Sequence, residues 1–177
     1  MVKNAKTLKW KGFTLIELLV VASIIIVLSA IVFPNYRGIE SQFTLERSAY
    51  KLAQDIRRAG EMAMSTREFD GKIPKGGYGI YLKLSWENYY KLYADKDGSE
   101  KFDEKKDGEV EKIFLEKGVY IKDISPSSLS INFKPPAPTV KINGKDFASA
   151  IITLSLKSDP NRTKIIKVNS IGLIDVE

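Results

Sequence analysis

Two carboxylate settings in this chain have residue types and spacing that could do chemistry. The first is Glu17, the only charged residue among the 21 from Phe13 to Phe33. At the centre of a bilayer such a group costs about 2.5 to 3.5 kcal/mol even on lenient scales, so it demands a named partner. The second is ADKDGSEKFDEKKDGEVEK, residues 94 to 112, with eight acids and five lysines. Asp95, Asp97, Ser99 and Asp103 fall at offsets 1, 3, 5 and 9 of a calcium loop, where oxygen ligands belong. Position six, however, is Glu100 where the turn needs glycine, and position twelve is Lys106 where a bidentate acid belongs. The expectation is a solvated hairpin loop, with no metal site and no cofactor.

Absent residue types narrow the chemistry further. The chain has no cysteine and no histidine, which excludes disulfides, thiolate or imidazole zinc sites and histidine-based triads. KGGYGIY at 75 to 81 lacks the third glycine of a dinucleotide fingerprint and precedes a strand pattern, so it reads as a turn. Asn161-Arg162-Thr163 matches a glycosylation sequon, but Asp159-Pro160 just before it marks a turn. Serines and carboxylates are plentiful, yet no spacing gathers two of them into a site, so the chain is not expected to be an enzyme.

The elements that must position Glu17 come next. Lys3, Lys6, Lys9 and Lys11 give residues 1 to 12 a charge of +4 out of a total of +6. A basic segment directly before an apolar run is placed on the cytoplasmic face by the positive-inside rule, with the rest of the chain outside. The 21 residues from Phe13 to Phe33 suffice for one membrane-spanning helix. A secretory signal peptide would show a small-residue cleavage site after the run, for which LSA at 28 to 30 is a poor candidate. Beyond Pro34 the helical pattern persists. Leu45, Ala49, Leu52, Ala53, Ile56, Gly60 and Ala63 form an amphipathic stripe. The expectation is one rod from Phe13 to about Met64, weakened at Pro34, which lacks a donor, and at Gly38.

The string Lys11-Gly12-Phe13-Thr14-Leu15-Ile16-Glu17, with the basic leader before it and the apolar run after it, resembles the processing signature of type IV prepilins and type II secretion pseudopilins. The resemblance implies cleavage by a prepilin peptidase between Gly12 and Phe13, and N-methylation of Phe13. It also implies that Glu17 pairs with the new α-amino group of a neighbouring subunit during assembly, and that Pro34 loosens the helix. A pair of buried opposite charges gains several kcal/mol at intermediate dielectric, but desolvation returns much of it, so the pair sets register more than stability. Read without the resemblance, Glu17 complements the helix dipole and reaches the headgroups, and Asn35-Tyr36-Arg37-Gly38 forms an interfacial loop.

Past DGKIPKGG at 70 to 77 the apolar period changes from about 3.6 to two. Strands are expected at 78–84, 89–94, 109–115, 119–124, 129–133, 139–142, 147–156, 164–168 and 172–176, with Asn143-Gly144 as the best hairpin turn. The expected fold is α+β, a long N-terminal helix packed on an antiparallel β-rich head. Its parts are a cleaved leader (1–12), a transmembrane and filament-core helix (13–34), an amphipathic helix continuing the rod (35–69) and a head (70–177). YYKLYADKDG, the acidic stretch, EVEKIFLEKGVYI and RTKIIKVNSIGLIDV are together similar to the H-type pseudopilin and FimT group of minor subunits.

The resemblance implies a structural subunit held in the inner membrane by one span, head outside, and built into a pilus or pseudopilus. Its partners are then the prepilin peptidase, other pilin or pseudopilin subunits and an inner-membrane assembly platform. Residues 134 to 167 carry Lys134, Lys141, Lys145, Lys157, Arg162, Lys164 and Lys167 against Asp146 and Asp159. That excess makes a DNA-binding minor pilin the alternative, since phosphates seek such a face. Lysines that keep strand edges soluble give the same pattern. A membrane-tethered domain of other function is the second alternative.

Overall fold

The computed structural model describes residues 12–136, 140–146 and 149–177, with the side chains of 32–39 outside the description. Residues 1 to 11, and the strand starts expected at Thr139 and Phe147, also lie outside it. Among the described residues one α-helix, α1 (Leu15–Met64), precedes nine strands. These are β1 (Gly77–Lys83), β2 (Tyr89–Asp95), β3 (Gly108–Phe114), β4 (Val119–Ser125), β5 (Ser128–Phe133), β6 (Val140–Ile142), β7 (Ser149–Leu156), β8 (Thr163–Asn169) and β9 (Ile174–Val176). The chain divides into two compact units, Met1–Glu40 and Ser41–Glu177.

In the first unit the described part of α1 is apolar nearly all round. Phe13, Leu15, Leu18, Ile24, Ile26, Leu28 and Ile31 are all exposed. Ser23 and Ser29 donate their hydroxyls to the carbonyls of Leu19 and Ile25, one turn back, so neither leaves a free donor on the surface. Among the described residues no helix is long and apolar enough to cross a membrane. The described side chains of the apolar run stop at Ile31, two positions short of the expected end at Phe33.

The bounds of α1 enclose Pro34 and Gly38, so the helix runs through both positions. A proline inside a helix costs about 3 kcal/mol and one ladder hydrogen bond. Turns on both sides can carry the helix across a single lost bond.

In the second unit the helical stripe meets the sheets. Leu45, Ala49, Leu52, Ala53, Ile56, Ala59, Met62 and Ala63 are buried in one cluster with Tyr78, Ile80, Leu82, Leu92, Ile131 and Leu154. Spacings of three and four put these positions on one helical face, and small alanines let the strands come close. Gly60 serves the same end, since a Cβ there would stand 3.2 Å from the Phe133 ring.

The strands form two antiparallel sheets, in the orders β3-β2-β1-β5-β6 and β4-β7-β8-β9. Along β1, Tyr78, Ile80 and Leu82 are buried with Leu129 and Ile131 of β5, as a period of two requires. Asn143 and Gly144 take positive φ in a tight two-residue turn closed by Ile142 and Lys145. The turn is where the sequence placed it, but the strands it separates lie in different sheets. β6 pairs with β5 and β7 with β4 and β8, so the connection crosses between layers.

Candidate functional site

Glu17 is the third residue of α1, and Thr14 is its N-cap. The Glu17 carboxylate accepts hydrogen bonds from the Thr14 amide and the Thr14 hydroxyl, both at 2.8 Å, and the Glu17 amide donates back to the Thr14 hydroxyl at 3.3 Å. This is a capping box, two otherwise orphaned donors at the helix start satisfied reciprocally. The residue that needed a partner therefore has one three positions away. T-x-x-E before an apolar run is the readable signal. Gly12 and Phe13 stand just ahead of the cap, outside any helix or strand, with Phe13 88% exposed. Around Gly12 there is open space. A protease could therefore reach this peptide bond without unwinding α1.

The second carboxylate setting gathers a different set of acids from the one the spacing suggested. Asp95, Asp97 and Asp107 bring carboxylate oxygens within 4.8 Å of one another, and Asp103 is not in this group. Asp107 lies at offset thirteen of the template, so it could not be found that way. The carboxylates instead hold the loop's own backbone. Asp95 accepts from the Gly98 and Glu100 amides, both at 2.7 Å, and Asp107 accepts from Lys96 at 3.1 Å and Asp103 at 2.7 Å. Burial, together with the facing carboxylates, pushes the acids of Asp95 and Asp107 up from their ordinary value. Asp97, held by the Ser99 hydroxyl and amide and by Lys106, moves down.

Most side chains of the expected solvated loop are exposed, and the loop also makes contacts with the sheet. Residues 96 to 107 fold back over the second face of the five-stranded sheet. Phe102 packs on Tyr81 and Tyr93, with ring centroids 4.5 and 5.0 Å apart. The Tyr93 hydroxyl meets the Ser130 hydroxyl at 2.7 Å, and the Phe102 amide donates to the same Ser130 oxygen at 3.2 Å. Ser130 and Asn132 are fully buried on this face. Phe102, a lone aromatic among charges, was the one available signal.

The basic segment from 134 to 167 is largely paired. Lys134 and Lys141 meet Glu100, Lys141 also meets Asp146, Lys157 meets Glu87, Arg162 meets Asp159, Lys164 meets Glu46 and Lys167 meets Glu177. The excess counted along the sequence is answered by acids from elsewhere in the fold. A phosphate backbone would have to displace those acids to be bound here.

Comparison with known proteins bears on the first setting. Residues 11–33 match the prokaryotic N-terminal methylation motif. The chain is 43% identical over 67 residues to fimbrial protein Q of Moraxella bovis, covering 38% of this chain and 40% of that protein. It is 42% identical over 64 residues to the type IV major alpha-pilin of the same organism, covering 36% and 37%. The chain thus spans about two fifths of the length of the curated relatives it matches. No solved structure matches it. The N-terminal segment of this chain, with its exposed Gly12-Phe13 junction and its capped apolar helix, carries the N-methylation motif of type IV prepilins and is similar to the pilins of Moraxella bovis.

Proposed function

We propose that the protein is a structural subunit of a type IV pilus or a related pseudopilus, cut between Gly12 and Phe13 by a prepilin peptidase and N-methylated at Phe13. The observation that carries this reading is the coincidence of the methylation motif with a helix whose described apolar side chains have no partner within the chain. Before assembly that surface is covered by lipid, with the leader on the cytoplasmic side and the head outside. In the filament it is covered by the same helix of neighbouring subunits. Exchange of lipid for protein brings little hydrophobic gain, so packing and polar pairing must supply specificity.

Glu17 supplies the polar part. In the single chain its carboxylate is occupied by Thr14. In the filament the α-amino group of a neighbour's Phe13 competes for it, and a charged donor makes a stronger hydrogen bond than a neutral one. Assembly is then an exchange of a local cap for an intersubunit pair. Pro34 and Gly38 allow α1 to loosen locally when the helices pack. Leader, filament-core helix, amphipathic helix and head are the working parts, and a place among the H-type and FimT-like minor subunits belongs to the same proposal.

Glu17→Gln separates the two roles, because the amide keeps an acceptor for Thr14 and loses the charge. The expected result is normal processing with strongly reduced recovery of the variant in sheared filaments. Normal incorporation of Glu17→Gln would remove the intersubunit pair from the mechanism and leave Glu17 as a helix cap.

A further inference from the structure

The loops β1–β2 and β2–β3 flank a cavity of about 440 Å³ on the second face of the five-stranded sheet. That is within the size range of small-molecule sites. Tyr81, Trp86 and Phe102 form its apolar walls. They are fixed in place: Trp86 stacks on Tyr89 at 4.8 Å and meets Tyr81 edge-on at 5.3 Å, while Phe102 lies on Tyr81. Lys91, beneath them, is buried, with its ammonium 4.9 Å from the centre of the Trp86 ring and paired to Glu104 and Glu109. Its charge is thereby spent.

The polar rim has a definite balance. Lys106 is shared between Asp97 and Asp103, at 3.4 and 3.9 Å, and Glu104 is taken by Lys91. Lys83 and Lys101 also line the cavity, and among the described residues their ammonium groups have no partner. The cavity therefore offers aromatic walls, carboxylate and hydroxyl acceptors at Asp97, Asp103 and Ser99, and two uncommitted cations. We infer that this cavity binds an acidic saccharide, with the ligand's carboxylate on Lys83 and Lys101 and its hydroxyls donating to Asp97, Asp103 and Ser99. The apolar face of the sugar ring lies against the walls. A nucleic acid fits less well, because a DNA phosphodiester backbone has no row of hydroxyls to donate to Asp97, Asp103 and Ser99. A neutral sugar leaves the two lysines unused. The inference does not depend on the assembly reading.

The test uses the full chain in detergent with Trp10→Phe, so that Trp86 is the only tryptophan reporting by fluorescence. The probes are tri-galacturonate, maltotriose as its neutral counterpart, and an oligothymidylate. Tri-galacturonate is expected to change Trp86 emission saturably with a Kd on the order of 1 mM, as befits a shallow site with few contacts. Lys83→Ala with Lys101→Ala should weaken it at least about tenfold, the size of one lost charged contact. Lys72→Ala with Lys75→Ala, exposed lysines elsewhere on the head, should leave it unchanged. A near-ultraviolet circular dichroism spectrum matching the parent shows that each double variant is folded. No response to tri-galacturonate overturns the inference. So does equal binding of maltotriose, tighter binding of the oligothymidylate, or equal weakening by the two lysine pairs.

Discussion

The two described stretches of α1 put their apolar side chains to opposite use. From Ser41 to Met64 the apolar residues recur at intervals of three and four, and the stripe from Leu45 to Ala63 is buried against the sheets while Phe43, Tyr50 and Met64 are exposed. From Leu15 to Ile31 they are continuous round the helix and exposed. A stripe can be covered by one partner in the same chain, whereas a full cylinder needs lipid or several partners. The difference shows that periodicity, more than hydrophobicity, tells whether a helix completes its own fold.

The largest effect that could break this comparison is a matched pair of truncations. Leu52→Ala should destabilise the head by about 2 to 5 kcal/mol, because Leu52 is fully buried and its site closes only partly. Leu19→Ala, in the exposed half, should move the same unfolding midpoint by no more than about 0.5 kcal/mol. Urea denaturation in detergent measures both. Equal losses would show that the two halves are stabilised alike.

A smaller effect concerns the polar fastening of the buried half. The Tyr90 hydroxyl donates to the Asp55 carboxylate at 2.6 Å in the buried layer between α1 and β2. Tyr90→Phe leaves that carboxylate without its donor, at an expected cost of about 1 to 3 kcal/mol in the same denaturation experiment. Smaller still is the exposed pair Arg47 to Glu116 at 2.9 Å. A double-mutant cycle should give it about 0.2 to 1 kcal/mol, falling with added salt.

The last prediction concerns charge and pH. Asp95 and Asp107 titrate above the ordinary 3.8 because burial and facing carboxylates disfavour the charged form. In the folded state they hold protons that the unfolded chain has released. Their contribution to stability is therefore fully present below 3.8 and is lost as pH rises through their folded values. Carboxyl carbon NMR should show both titrating late. Asp97→Asn, which removes a facing charge, should bring Asp107 down.

Most of the architecture was legible because its signals are local. The rod to Met64, the alternation of Tyr78, Ile80 and Leu82 and the Asn143-Gly144 turn each depend on a few neighbouring residues. What was hidden depends on distant partners. Nothing near Ser130 or Asn132 announces that Phe102 and its loop will cover them, and nothing along 134 to 167 announces Glu46, Glu87, Glu100 or Glu177 as counter-charges. The Thr14 cap of Glu17 is local and readable as T-x-x-E.

The intact mass of the chain after co-expression with a prepilin peptidase tests the central claim most directly. The account predicts loss of Met1 to Gly12 and one added methyl group on Phe13. A chain left whole, or one cut after Ala30, would contradict it.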